Sequence, residues 1–388
     1  MDLQILSANL RRIRAAKGKS QAEIAEAAEL SRPGYRNIEA GTAAPRVDSL
    51  MRIANVLGVR LEELLTPIRE LEAVRFRATR KMNTRNEILA DVARWLDDYN
   101  ELETILDCRQ DFVFDEKTLG LERSLDGLER AKRAAMLARD AAHLNDTREN
   151  AIRDICGLLE DNGVKVFTPA RASEGFFGLS VAGIDGGPAV VVNTWDRLSV
   201  ERWIFTAAHE LGHLILHLNS YHVKETGEDR AQEREADTFA SYFLMPEALF
   251  KKEFNEARGL PLVKLVMKLK RIFRVSCTSV VYRIASWAPD PRVVWTRFKA
   301  EYEAVMGREL DMTTEPDGLA ADEFRDGPLA KLADEPDHLD SADFMQDRLH
   351  RLVRQAVEGQ HISMSRAAEI LRISLEEMRA LANSWIDP

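Results

Sequence analysis

His209 and His213 stand four residues apart in Thr206-Ala-Ala-His-Glu-Leu-Gly-His-Leu-Ile-Leu-His217. A helix through this stretch projects both imidazoles from one face toward a common point. Glu210 lies one position round, beside that point. Two histidines and a glutamate in this H-E-x-x-H order suit Zn2+: the imidazoles bind the ion, the ion acidifies water, and Glu210 takes the proton as general base.

A catalytic zinc also needs a third protein ligand and an open position. A histidine six residues beyond His213 would be one solution, but Asn219 stands there. Downstream, Glu233-Arg-Glu-Ala-Asp237 leads into Phe239, Ala240, Phe243 and Leu244, an apolar stripe at helical spacing. On that second helix Glu233 is the expected zinc ligand. Asp237, one turn on, is expected to accept the free N–H of a ligand imidazole. Glu235 points off this face, toward a surface pair. Glu228, Asp229 and His222 compete with Glu233 as ligand. His217 continues the histidine stripe and reads as a helix-end residue. Peptide hydrolysis would also need an oxyanion stabiliser, and Tyr221, His222 and Tyr242 all remain candidates.

Several elements must position these groups. Gly163-Val-Lys-Val-Phe167, Phe177-Gly-Leu-Ser-Val181 and Ala189-Val-Val-Val-Asn193 read as strands bounded by Gly and Pro. Helical patterns flank them: 119–160 is Ala-rich, and about 70–106 carries Ile88, Val92, Trp95, Leu96, Tyr99 and Leu102 at spacings of three and four. The N-terminal 65 residues read as five short helices. Ser20 and Glu23 form a capping-box pattern, Ser31 precedes Pro33 in a first turn, and Gly58 closes a fourth helix. The expected fold is mainly α with a small α+β domain. Its expected parts are an N-terminal five-helix helix-turn-helix at 1–68, a helical connector at 69–148, a metallopeptidase domain with a small sheet at 149–290, and an acidic linker and helical region at 291–388. In that last part, 362–379 repeats the helix, short turn, helix rhythm.

The chain has 388 residues, 45% hydrophobic and 30% charged, enough for two or three cored domains. Its net charge of −10 argues against bulk attraction to polyanions. The acidity is concentrated: 301–347 holds fifteen acids against three bases and reads as a solvated spacer, whereas 1–65 holds ten bases against eight acids. Arg75, Arg77, Arg80, Lys81 and Arg85 make a basic run that reads as a solvated helix face. Cys108, Cys156 and Cys277 are isolated, which excludes a disulfide framework and a thiolate zinc site. With no apolar run of membrane length, no membrane association and a cytoplasmic setting are expected.

AAHELGHLILH and EREADTFASYFLMP together resemble the ImmA/IrrE family of zinc metallopeptidases, and LLEDNGVKVF and Trp203-Ile-Phe-Thr extend the likeness over 150–285. The resemblance implies a gluzincin-like fold. It also implies cleavage of a protein partner such as a DNA-binding repressor in a stress or DNA-damage response, with single-stranded DNA as a candidate activator. Asp237 departs from the Asn of many relatives, and either residue accepts a hydrogen bond.

The stretch from Lys19 to Leu65 is similar to the XRE class of helix-turn-helix domains, whose second helix enters the major groove. The likeness places Gln21 at a phosphate or base edge and Arg32, Arg36 and Asn37 on the groove side, with Ile24, Ala25, Leu30, Tyr35, Ile38 and Leu50 in the core. It implies binding to double-stranded DNA as a homodimer. The expected function is that of a DNA-binding transcriptional regulator carrying a zinc-dependent endopeptidase. The alternative is a repressor or antitoxin-like regulator whose zincin domain serves as a sensor or interaction module.

Overall fold

The computed structural model describes residues 1–66, 70–78, 85–122, 125, 127–144, 151–173, 175–221, 229–257, 259–311, 314–318 and 336–385. The chain divides into two compact units, Met1–Glu72 with Arg80–Glu101, and Ala73–Thr79 with Leu102–Pro388.

The first unit opens with α1 (Leu3–Ala16), α2 (Gln21–Ala27), α3 (Arg32–Glu39), α4 (Val47–Leu57) and α5 (Leu61–Leu65). Ser20 Oγ accepts from the Glu23 N–H while Glu23 Oε2 accepts from the Ser20 N–H, so α2 starts on a complete capping box. Ser31 caps α3 through the Gly34 N–H, with Pro33 in the first turn where no donor is lost. Gly58 closes α4 at φ 63°, the left-handed conformation that glycine adopts without penalty. Leu6, Leu10, Ile24, Tyr35, Ile53 and Leu57 meet in one core, each aliphatic side chain contributing roughly 1.5–3 kcal/mol by leaving water. Glu39 is the charged exception. It is 2% exposed and receives Arg14 Nη2 at 2.7 Å, a partner that its burial requires. Helix α6 (Arg85–Ile105) adds Arg94, whose Nη1 lies 2.9 Å from Glu63.

The helical connector expected over 69–148 is interrupted. Residues 74–78 form strand β1 (Val74–Ala78) of the second unit. Val74 and Phe76 alternate with Arg75 and Arg77, a period of two that suits a strand once a neighbouring edge supplies backbone partners. That edge is β3 (Phe176–Val181). With β2 (Lys165–Phe167) and β4 (Ala189–Val192) the order is β1-β3-β4-β2, antiparallel except for the parallel β2–β4 pair.

In the second unit, α7 (Gly127–Ala141), α8 (Ile155–Asp161), α9 (Val200–Leu216) and α10 (Arg230–Leu244) pack with this sheet. Ala131, Ala134, Ala135 and Ala138 line one face of α7 and are fully buried, which lets neighbouring helices approach closely. Helix α9 is buried on nearly every side, its polar Glu201, His209, Glu210 and His213 included. Beyond it run α11 (Glu247–Glu256), α12 (Leu262–Phe273), α13 (Cys277–Ala285) and α14 (Pro291–Met306), then α15 (Arg348–Glu358), α16 (Met364–Leu371) and α17 (Leu375–Ser384). The pair α16–α17 has the expected helix, short turn, helix form. Helix α15 is anchored by buried Arg348, whose Nη1 lies 2.6 Å from Glu103.

Parts of the acidic stretch pack rather than float. Glu301 accepts from the Leu262 N–H, Glu315 accepts from the Cys277 N–H at 2.7 Å, and Asp343 pairs with Arg274. Each is held by a donor or cation that charge counting along the chain does not reveal. No described helix is long and apolar enough to cross a membrane.

Candidate metal centre

Ser199 caps α9, accepting from the Arg202 N–H, and the helix then carries His209, Glu210 and His213, all fully buried. The Nε2 atoms of His209 and His213 are 2.9 Å apart. Asp229, one of the competing ligand candidates, instead caps α10, accepting from the Ala231 N–H at 2.9 Å. One turn on, Glu233 reaches back, with Oε2 3.2 Å from His209 Nε2 and Oε1 3.3 Å from His213 Nε2. These three residues are the group of metal-capable side chains found among the described residues, their donor atoms all within 4.8 Å of one another.

The geometry fits a small tetrahedral ion. Metal bonds of about 2.0–2.1 Å separate tetrahedral donors by about 3.3–3.4 Å, close to the spacings seen here. The protonation states fit as well. Burial pushes the His213 imidazole well below its ordinary pKa, partly offset by the facing Glu233 carboxylate. Burial would raise Glu233, but the His209 and His213 rings facing it outweigh that and hold the carboxyl far below the usual range. A neutral imidazole beside an ionised carboxylate is what a metal requires.

The packing of α9 on α10 places these donors. A Cβ added to Gly212 would meet the Phe239 ring at 3.0 Å, so the bare glycine lets the two helices come this close.

Asp237 lies beside His209, with Oδ1 2.8 Å from Nδ1. Glu235, expected at a surface pair, is instead 3.0 Å from Nε2 of buried His217, because the C-terminal end of α9 brings that histidine alongside α10. The other ring nitrogen of His217 faces His213 Nδ1.

Glu210 is held from the sheet side. Its Oε2 accepts from Ser180 Oγ at 2.7 Å, and Ser180 Oγ accepts from Tyr221 Oη at 2.7 Å. Burial raises the Tyr221 phenol further, so it remains protonated and able to donate. Of the three oxyanion candidates, Tyr221 is therefore tied to Ser180. Tyr242 stacks under Arg283, 3.2 Å from its ring centroid, and His222, like Glu228, lies outside the described residues.

Three residues of this site were not anticipated. Ser180 and Gly178 are the small residues on the face of β3 toward α9: a Cβ at Gly178 would approach Thr206 Cγ2 at 2.7 Å and Glu210 Cγ at 3.4 Å. Small residues two apart in an apolar strand are the signal that could have marked this face. Arg75 of β1 reaches Glu233, with Nη2 3.0 Å from Oε1, and also bonds the Gln232 side chain.

In the first unit, Arg32, Arg36 and Asn37 are exposed on α3 while Tyr35 and Ile38 are buried beneath them. Gln21, the first residue of α2, is partly exposed. Leu30 is partly buried against the same core. Of the basic run, Arg75 and Arg85 are described, whereas Arg80 and Lys81 lie outside the described residues.

No curated protein matches the chain. Residues 10–64, spanning most of the five-helix region, match the family model described as helix-turn-helix. Residues 160–285, which hold the whole donor cluster together with Glu210, Ser180 and Asp237, match the model described as IrrE N-terminal-like domain. The chain thus joins a segment that matches the helix-turn-helix model to a metallopeptidase-like segment that matches the IrrE N-terminal-like model.

Proposed function

We propose that the chain is a DNA-binding regulator whose second unit is a zinc-dependent endopeptidase acting on a protein partner such as a DNA-bound repressor. The observation that carries this reading is the convergence of His209, His213 and Glu233 beside a buried, oriented Glu210. His209, His213 and Glu233 would hold the zinc, which when bound acts as a Lewis acid toward water and the scissile carbonyl. Glu210 takes the proton from the attacking water and passes it to the leaving amine. Ser180 fixes the carboxylate for both transfers, and Asp237 fixes the tautomer and direction of His209. The exposed Arg32, Arg36 and Asn37, with Gln21, are the proposed contacts to double-stranded DNA.

The test is incubation of zinc-loaded wild type and Glu210→Ala with candidate repressors, with and without single-stranded DNA. Cleavage by wild type at least 100-fold faster than by Glu210→Ala is expected. Equal cleavage by both, or none by either, defeats the protease reading and leaves the sensor or interaction module.

A further inference from the structure

Strand β3 runs along the candidate centre. Its Gly178 and Ser180 face α9, and Ser180 holds Glu210. One side of β3 is paired with β4; the other side is a ledge of backbone donors and acceptors next to the donor cluster. An extended polypeptide gains main-chain hydrogen bonds by adding as a strand to such an edge. Here the ledge is filled by the chain itself. Strand β1 pairs with it antiparallel, from Val74 opposite Val181 to Ala78 opposite Phe176, with a register irregularity between Arg77 and Ala78.

The contact reaches the metal ligand. Arg75 lies opposite Ser180, and its guanidinium extends to Glu233, 3.0 Å from Oε1, and to Gln232. Both Arg75 and Glu233 are largely shielded, at 13% and 17% exposed, so the pair is not a loose surface association. Phe76 stacks on Phe176 with ring centroids 5.1 Å apart, and Val74 is buried. A five-residue strand thus covers the ledge and places a cation on a ligand carboxylate.

Chain order gives β1 a second property. Residues 73–79 belong to the second unit, while the residues directly before and after them belong to the first. Both ends of the strand therefore continue into the unit that carries the helix-turn-helix segment.

We propose that β1 is an inhibitory strap, occupying the edge of β3 on which an extended polypeptide substrate would pair, so that substrate binds only when the strap leaves. The proposal rests on the endopeptidase reading for its consequence but concerns binding, which can be measured separately. The apparent affinity for substrate is then lowered by the fraction of molecules in which the strap is open.

The experiment uses the full chain with Glu210→Gln, zinc-loaded, and fluorescein-labelled casein as an unfolded polypeptide probe read by anisotropy. Val74→Cys with Val181→Cys places two cysteines at directly opposed positions, within disulfide reach. The oxidised form locks the strap and binds the probe at least tenfold more weakly than the same protein reduced with a phosphine. Arg75→Ala with Phe76→Asp releases the strap and binds at least tenfold more tightly than the parent, with one zinc per chain retained. Equal affinity of the oxidised and reduced forms overturns the strap, and so does a folded release variant that binds no better than the parent. If the release variant fails to fold, the disulfide pair decides alone. Tight binding by the released chain with no cleavage when Glu210 is restored defeats the endopeptidase reading and leaves the strap standing.

Discussion

The Nδ1 atoms of His213 and His217 lie 2.9 Å apart. Two ring nitrogens at that distance need one proton between them. His213 presents Nε2 to the donor cluster, so its proton is on Nδ1 and His217 Nδ1 accepts. His217 then carries hydrogen on Nε2 and donates to Glu235, 3.0 Å away. The second donor helix thus supports both histidines, His209 through Asp237 and His213 through the His217–Glu235 chain.

Removing that support should weaken the metal. His217→Ala is expected to lower zinc affinity about 10- to 100-fold, the usual cost of losing an outer partner of a ligand histidine. Glu235→Gln should lose less, since the amide oxygen still accepts. Competition with a chromophoric chelator measures both, and an affinity within twofold of wild type for His217→Ala would show the chain to be idle.

Ser180 has two duties, so its loss should separate stability from metal binding. Ser180→Ala leaves the Tyr221 hydroxyl buried with its acceptor gone, at a cost of about 1–3 kcal/mol in denaturant unfolding. Glu210 loses a hydrogen bond to a charged group, and turnover should fall roughly 10- to 100-fold. Zinc stoichiometry should not change. A loss of zinc on Ser180→Ala would mean that the strand shapes the ligand cage itself.

Stability should vary with pH through Glu160, far along the chain from the candidate metal ligands. Burial raises its carboxyl to about 7, although the Arg348 and Asp347 N–H groups donate to it and pull the other way. The folded chain then keeps this proton over a range where the unfolded chain has lost it. The stabilising contribution is complete below about 4.5 and is lost as pH rises toward about 7, on the order of 3 kcal/mol in all. Urea midpoints for wild type and Glu160→Gln at pH 5 and pH 8 test this. The wild type should lose more stability between the two, and parallel behaviour would refute it.

Arg348→Ala should loosen the C-terminal helices. It breaks a buried pair with Glu103, at a cost of about 3 kcal/mol, the low end for such a break because Lys165 remains 3.0 Å from that carboxylate. Hydrogen exchange should rise across α15–α17, and unchanged protection there would count against the anchor.

Arg36→Ala tests the groove model of α3. The side chain is exposed, so unfolding free energy should shift by less than about 0.5 kcal/mol. Affinity for a duplex selected from a random pool should drop by about 1–3 kcal/mol if the arginine reads a base. A uniform loss with a salt slope shallower by about one would instead assign it to a phosphate. No loss on any duplex would remove Arg36 from the interface.

The readable parts of the site were those governed by short-range helical geometry. His209 with His213, and Glu233 with Asp237, are each four apart, and a helix turns that spacing into a shared face without further information. The strands at 163–193 were legible because alternation and bounding Gly and Pro are local too. What is not legible in the sequence depends on pairings across long stretches of chain. Arg75 reaches Glu233 only after β1 has found β3, and five residues beside a strongly helical run give a weak signal for that. The surface pair expected of Glu235 rests on one helix alone, whereas the residue meets buried His217. Its partner is chosen by where α10 crosses the end of α9, which no single-helix pattern contains.

Gly212 has a consequence for which ion the proposed cage would accept. Two donors come from α9 and one from α10, so the gap they enclose is measured by the spacing of two backbones and not by the reach of flexible side chains. That spacing is fixed by a phenyl ring lying on a bare Cα. Calcium, with oxygen ligands at about 2.3–2.6 Å and six or more of them, would need a wider cage poorer in nitrogen. A methyl group at position 212 would act as a shim, and its first effect would be on metal selectivity, before any effect on whether the helices form.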